Sequence, residues 1–178
     1  VVVGYDALSG TLTGGGGGAT GSTAIGYQSL KALTSGSGNV AMGYQTGLLL
    51  TAGQYNTVMG EKSLWTDDYG DFSTAIGYNS LYKQNTTGTG NVTTGNTGLG
   101  AYSGFNNVTG INNTYVGYKS GFGVSGNSNS NNVGVGANAL VAITTGGTNV
   151  AIGVGAGSVI TDGANNIAIG AHALNAST

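Results

Sequence analysis

The chain has 178 residues and a formal net charge of −2, with 37 glycines and neither proline nor cysteine. Charged residues make up 6% of it and all four basic ones are lysines, too weak a footprint for phosphate, so nucleic acid is excluded as the main partner. Without cysteine there is no disulfide or thiolate-metal chemistry, and no apolar run nears the roughly 20 residues that span a bilayer.

The chain opens at Val1-Val2-Val3-Gly4, inside a unit that then repeats, which reads as a fragment of a longer protein. The unit is clearest where Thr23-Ala24-Ile25-Gly26-Tyr27-Gln28-Ser29-Leu30 returns as Thr74-Ala75-Ile76-Gly77-Tyr78-Asn79-Ser80-Leu81. Aligned on a central glycine, ten copies run from end to end at Gly4, Gly26, Gly43, Gly60, Gly77, Gly100, Gly117, Gly136, Gly153 and Gly170. Six of the nine intervals are 17 residues and the others are 22, 23 and 19. The first excess coincides with Gly14 to Gly18, either a loop between coils or a placeholder for unidentified residues; the second falls between Lys83 and Gly95, the third near Gly126 to Asn131. All three stretches have loop composition.

Seventeen residues without helical periodicity suit one coil of short strands and turns. The fold expected is all-β, a parallel β-solenoid (β-roll or β-helix) of about ten 17-residue coils, residues 1–178 forming one array. At a spacing of about 4.8 Å the rod would be on the order of 45 Å long. The residue before each central glycine is apolar in every copy (Val3, Ile25, Met42, Met59, Ile76, Leu99, Val116, Val135, Ile152, Ile169), and we expect that column to be buried, with the Thr/Val column two residues earlier beside it. The small residues between them, such as Ala24, Ala41, Gly98 and Ala151, would then face outwards and let an identical chain approach, giving a homotrimer. Asparagine four residues before the glycine (Asn39, Asn56, Asn96, Asn113, Asn132, Asn149, Asn166) predicts a turn into each strand and a stacked amide ladder.

Units such as Asn149-Val150-Ala151-Ile152-Gly153 and Asn166-Ile167-Ala168-Ile169-Gly170 resemble the head repeats of YadA-like trimeric autotransporter adhesins, and the Thr-Ala-Ile-Gly-Tyr-Gln-Ser-Leu form is similar to repeats of bacteriophage tail-fibre proteins. The likeness covers essentially the whole chain and implies a homotrimeric, extracellular attachment fibre on a virion tail or cell surface, binding a host glycan or protein receptor. Adhesin heads use shorter units and carry a neck and anchor, which favours the tail-fibre form. No binding residue carries over.

Chemistry is sparse. His172 stands alone, so no histidine triad or multi-histidine metal site exists in one chain. The GxGxxG match from Gly121 to Gly126 leads into asparagines instead of a helix. Asp67, Asp68 and Asp71 form the one carboxylate cluster, a solvated loop or at most a structural calcium site. No paired carboxylates recur at fixed spacing, so we expect no enzyme, and no cofactor. Five Asn-x-Ser/Thr sequons, at Asn85, Asn91, Asn107, Asn112 and Asn175, follow from composition alone. Tyrosine follows the glycine at Tyr5, Tyr27, Tyr44, Tyr78 and Tyr118, an aromatic strip able to cover an edge or to contact glycan. A threonine column (Thr23, Thr57, Thr74, Thr97, Thr114) raises ice binding as an alternative, opposed by the expectation that it points inwards.

Overall fold

The computed structural model describes residues 1–11, 18–86, 90 and 92–175. Ten strands, one per motif copy, stack in a single parallel sheet: β1 (Val2–Val3), β2 (Thr23–Ile25), β3 (Val40–Met42), β4 (Thr57–Met59), β6 (Thr74–Ile76), β8 (Thr97–Leu99), β9 (Thr114–Val116), β10 (Val133–Val135), β11 (Val150–Ile152) and β12 (Ile167–Ile169). Two further strands, β5 (Gly70–Asp71) and β7 (Val92–Thr93), pair in parallel on a second wall. No helix occurs among the described residues. The chain is a parallel β-solenoid.

Register follows the motif. Thr23 pairs with Val40 and Val40 with Thr57 at the 17-residue period. Across the longer intervals Val2 pairs with Ala24, Thr74 with Thr97 and Thr114 with Val133, so the columns stay aligned despite the extra residues. The glycine run from 14 to 17 lies outside the described residues.

Three columns hold each corner in left-handed backbone. The central glycines have φ between 115° and 138°, and a side chain there would also strike the next layer: a Cβ on Gly26 would sit 2.3 Å from the Gly43 carbonyl oxygen. Both restrictions select glycine. Two residues on, φ is 53° at Gln28 and 57° at His172; four residues on, it is 49° at Leu30, 57° at Gly47 and 48° at Leu81. That last column explains why only Leu or Gly stands there. Glycine meets the backbone requirement, while leucine bears the strain and fills the core, as Leu30, Leu64, Leu81 and Leu140 do at 0% exposure.

One expectation is reversed. The small column points into the coil: Ala24, Ala41, Val58, Ala75, Gly98, Tyr115, Gly134, Ala151 and Ala168 are all buried. The large apolar column points out, with Met42 37%, Leu99 43%, Ile152 40% and Ile169 66% exposed. The Thr/Val column lies on the same outer face, half-buried from Thr23 to Val150. The reason is the coil's width. A Cβ on Gly98 would already lie 2.4 Å from Ser80 Oγ and 3.0 Å from Leu81 Cγ, so the interior of this wall admits little beyond a methyl group. Tyr115 is accommodated because the positions around its ring are Gly104, Gly121 and Gly134, where a Cβ would meet it at 2.3–3.1 Å.

The core is divided. Leu30, Leu33, Leu50, Leu64 and Leu81 belong to one apolar cluster, and Tyr115, Leu140, Ile143 and Ile160 to another. Between them the inner column that begins as Leu33 and Leu50 continues as Asp67, Gln84 and Asn107, all fully buried.

Candidate functional site

The inner asparagines form the ladder's skeleton. Asn56 donates from its backbone N (2.9 Å) and Nδ2 (3.1 Å) to Asn39 Oδ1. Asn113 does the same to Asn96, Asn132 to Asn113, Asn149 to Asn132 and Asn166 to Asn149. Except at Asn166, each Nδ2 also reaches a carbonyl on the facing wall, as Asn39 to Gly53, Asn96 to Gly110 and Asn149 to Gly163, at 2.7–2.8 Å. One amide thus ties a layer to its neighbour and closes the coil, satisfying buried donors that would otherwise be orphaned. These residues are buried apart from Asn166 and offer nothing to a ligand.

The aspartates are drawn apart. Asp67 accepts from Gln84 Nε2 (2.6 Å), Thr86 Oγ1 (3.0 Å) and the amides of Thr86 and Gly70 (both 3.3 Å). Asp71 accepts from the Gln54 amide at 2.7 Å, and Asp68 from the Thr51 hydroxyl. Burial holds the carboxyls of Asp67 and Asp71 above the usual range, against the pull of those donors. Among the described residues no three His, Asp or Glu side chains converge on a point where a metal ion could sit. Gly121 to Gly126 contain no helix and run into a bridge between Asn107 and Asn127. His172 is exposed beside Asn175.

The surface has more to offer. The tyrosine strip is exposed and splits at Glu61. Tyr5, Tyr27 and Tyr44 stack in parallel at 5.7 and 5.2 Å. Tyr78 and Tyr118 instead meet the edge of Tyr102, at 5.2 and 6.2 Å. Tyr102 links this strip to a second, more regular one that the motif columns did not single out. Five residues after the central glycine stand Trp65, Tyr82, Phe105 and Phe122, whose rings are parallel within 1–9° at steps of 5.2, 5.1 and 5.3 Å. Lys83 lies 5.6 Å from the Phe105 ring and Lys119 5.5 Å from that of Phe122. The signal was present as aromatic residues 17, 23 and 17 apart; it was missed because only four copies carry rings there, beside Lys31, Leu48 and Val141 in others.

The other surface feature is the outer face of the ten-stranded sheet, where the Thr/Val and Ile/Met/Leu columns run side by side along the stack. Contiguous apolar faces of this kind are the ones on which proteins commonly meet partners.

Fold and surface together define a solenoid rod with one apolar face and one aromatic corner. No family model, no curated protein and no solved structure matches the chain.

Proposed function

We propose that this chain is a shaft segment of an extracellular attachment fibre, of the tail-fibre kind that its repeats resemble, in which three copies pack side by side through the outer faces of their ten-stranded sheets. The reading rests on that face, where half-buried Ile25, Ile76, Val116 and Val135 are interspersed with the more exposed Met42, Met59, Leu99 and Ile152. Covering such side chains contributes about 25 cal/mol per Å². A symmetric bundle uses the same patch on every copy. The small-residue face first expected at the interface is inside the coil and unavailable for this. Repetition sets the length and stiffness of the shaft, and the role requires no catalytic group. A trimeric bacterial surface adhesin is the nearest variant, distinguished by a membrane anchor in the full-length protein. Light scattering tests the proposal: a molar mass near three times 17.3 kDa supports it, and a folded monomer rejects it.

The outward threonines favour a second reading, ice binding, which their expected inward direction had opposed. Five of the ten positions in that column are threonine, but Val1, Val40, Val133, Val150 and Ile167 fill the rest and the adjacent column has no hydroxyl at all. That composition suits protein packing better than a hydroxyl lattice. Thermal hysteresis of the purified segment would reverse the order.

A further inference from the structure

We infer that the corner bearing Trp65, Tyr82, Phe105 and Phe122 is a binding track for an extended anionic polysaccharide, with Lys83 and Lys119 holding its acidic groups. The inference rests on the fibre reading for its biological setting, and on the ladder alone for its chemistry. Three observations carry it. The rings are parallel, half-buried and spaced 5.1–5.3 Å apart, a step close to the length of one pyranose in an extended chain. The repeat of the protein and that of the ligand therefore stay in phase over several layers. Because the rings stack on one another, their edges line the corner as a continuous apolar strip along which the C–H face of a sugar chain can lie, a contact that favours no single sugar over four rungs.

The charge is placed to select among glycans. Lys83 and Lys119 are half of the chain's basic residues, and both lie over rungs of this ladder, Lys119 also 5.3 Å from the Tyr118 ring. The ion pair among the described residues uses a different lysine, Lys31 with Asp6 at 2.7 Å. Lys83 Nζ meets only the exposed Ser125 hydroxyl at 3.3 Å. Two ammonium groups held against aromatic rings, with no carboxylate partner among the described residues, are complementary to uronate-type carboxylates along a sugar chain. The ladder and the apolar sheet face are separated by the turn that follows each central glycine, so fibre packing and glycan contact use different surfaces.

Trp65 is the chain's one tryptophan, so its emission reports on the track directly. Titration of the assembled protein with oligogalacturonate, and with cellohexaose as the neutral control, reads binding by saturable change in Trp65 fluorescence. The acidic oligomer is expected to bind and the neutral one to bind at least roughly tenfold more weakly, with the difference shrinking as salt is raised. Lys83→Glu with Lys119→Glu, both at the surface, should abolish the response without altering the circular dichroism melt. Phe105→Ala with Phe122→Ala should weaken it while the molar mass is unchanged. No response to either oligomer, equal affinity for both, or dissociation of the assembly by the ring substitutions would overturn the proposal; the last would assign the ladder to packing between copies. A monomeric protein that still binds oligogalacturonate would reject the fibre and leave the track standing.

Discussion

A side-chain carbon placed on Gly26 would lie 2.3 Å from the carbonyl oxygen of Gly43 in the layer above. The same relation recurs between Gly153 and Gly170, at 2.5 Å, but a Cβ on Gly170 would meet nothing within 4 Å. Gly170→Ala therefore bears only the strain of φ +119°, about 1–3 kcal/mol. Gly26→Ala adds a backbone clash and should cost more than that. Thermal melts of the two variants rank them, and an equal loss would show that layer contact is not what selects glycine.

The amide ladder makes a position-dependent prediction. Asn113→Ala removes the acceptor for the Asn132 backbone and Nδ2 and the donor to Asn129 O, all buried. The expected loss is about 1–3 kcal/mol for each buried group left without a partner. Asn166→Ala, at the half-buried end of the ladder, should cost well under half as much. Denaturant midpoints read the difference.

Much of this was legible beforehand, and the reason is physical. A parallel solenoid keeps each sequence column in one environment, so Gly4 to Gly170, the asparagines and the longer intervals could be aligned from the sequence. What could not be read was which side of β2 or β11 faces in. A period of two separates the faces but does not name them, and the ordinary rule that large apolar residues are buried pointed the wrong way. In a coil too narrow for a side chain at Gly98, size is excluded from the interior of that wall, and Ile25 and Ile152 are left outside. The Trp65 ladder was hidden for another reason: it spans four layers, and a column average over ten dilutes it.

The outer face can be tested without disturbing the core. Ile76→Asp places a charge on a side chain that points away from the coil. The melt of the separate chain should shift by less than about 1 kcal/mol in stability. If the face joins copies, the same substitution should reduce the molar mass to that of one chain. Retention of a trimeric mass would move the interface elsewhere.

Acid should stabilise the fold, contrary to the usual behaviour of carboxylates. Burial raises the carboxyl groups of Asp67 and Asp71 above the ordinary 3.8. Between that value and their raised ones the folded chain binds more protons than the unfolded chain, so stability falls as pH rises through the window and is fully present below it. Asp6 acts in the opposite sense: its hydrogen bond to Lys31, chiefly, lowers it to about 2. Its share is present above 3.8 and lost as pH falls towards 2, but the pair is at the surface and contributes little. With six acidic residues in all, the buried pair should dominate the profile. The melting temperature is expected to rise from pH 7 towards pH 4, and Asp67→Asn should flatten that slope. A wild-type melt that falls with acid would contradict the assignment.

The extra residues of the 22-, 23- and 19-residue intervals leave the strand register untouched. Layers of this kind are interchangeable parts: a gene that gains or loses one repeat lengthens or shortens the rod by a single step without redesigning its neighbours. In the proposed fibre shaft, length becomes a quantity that recombination can count out.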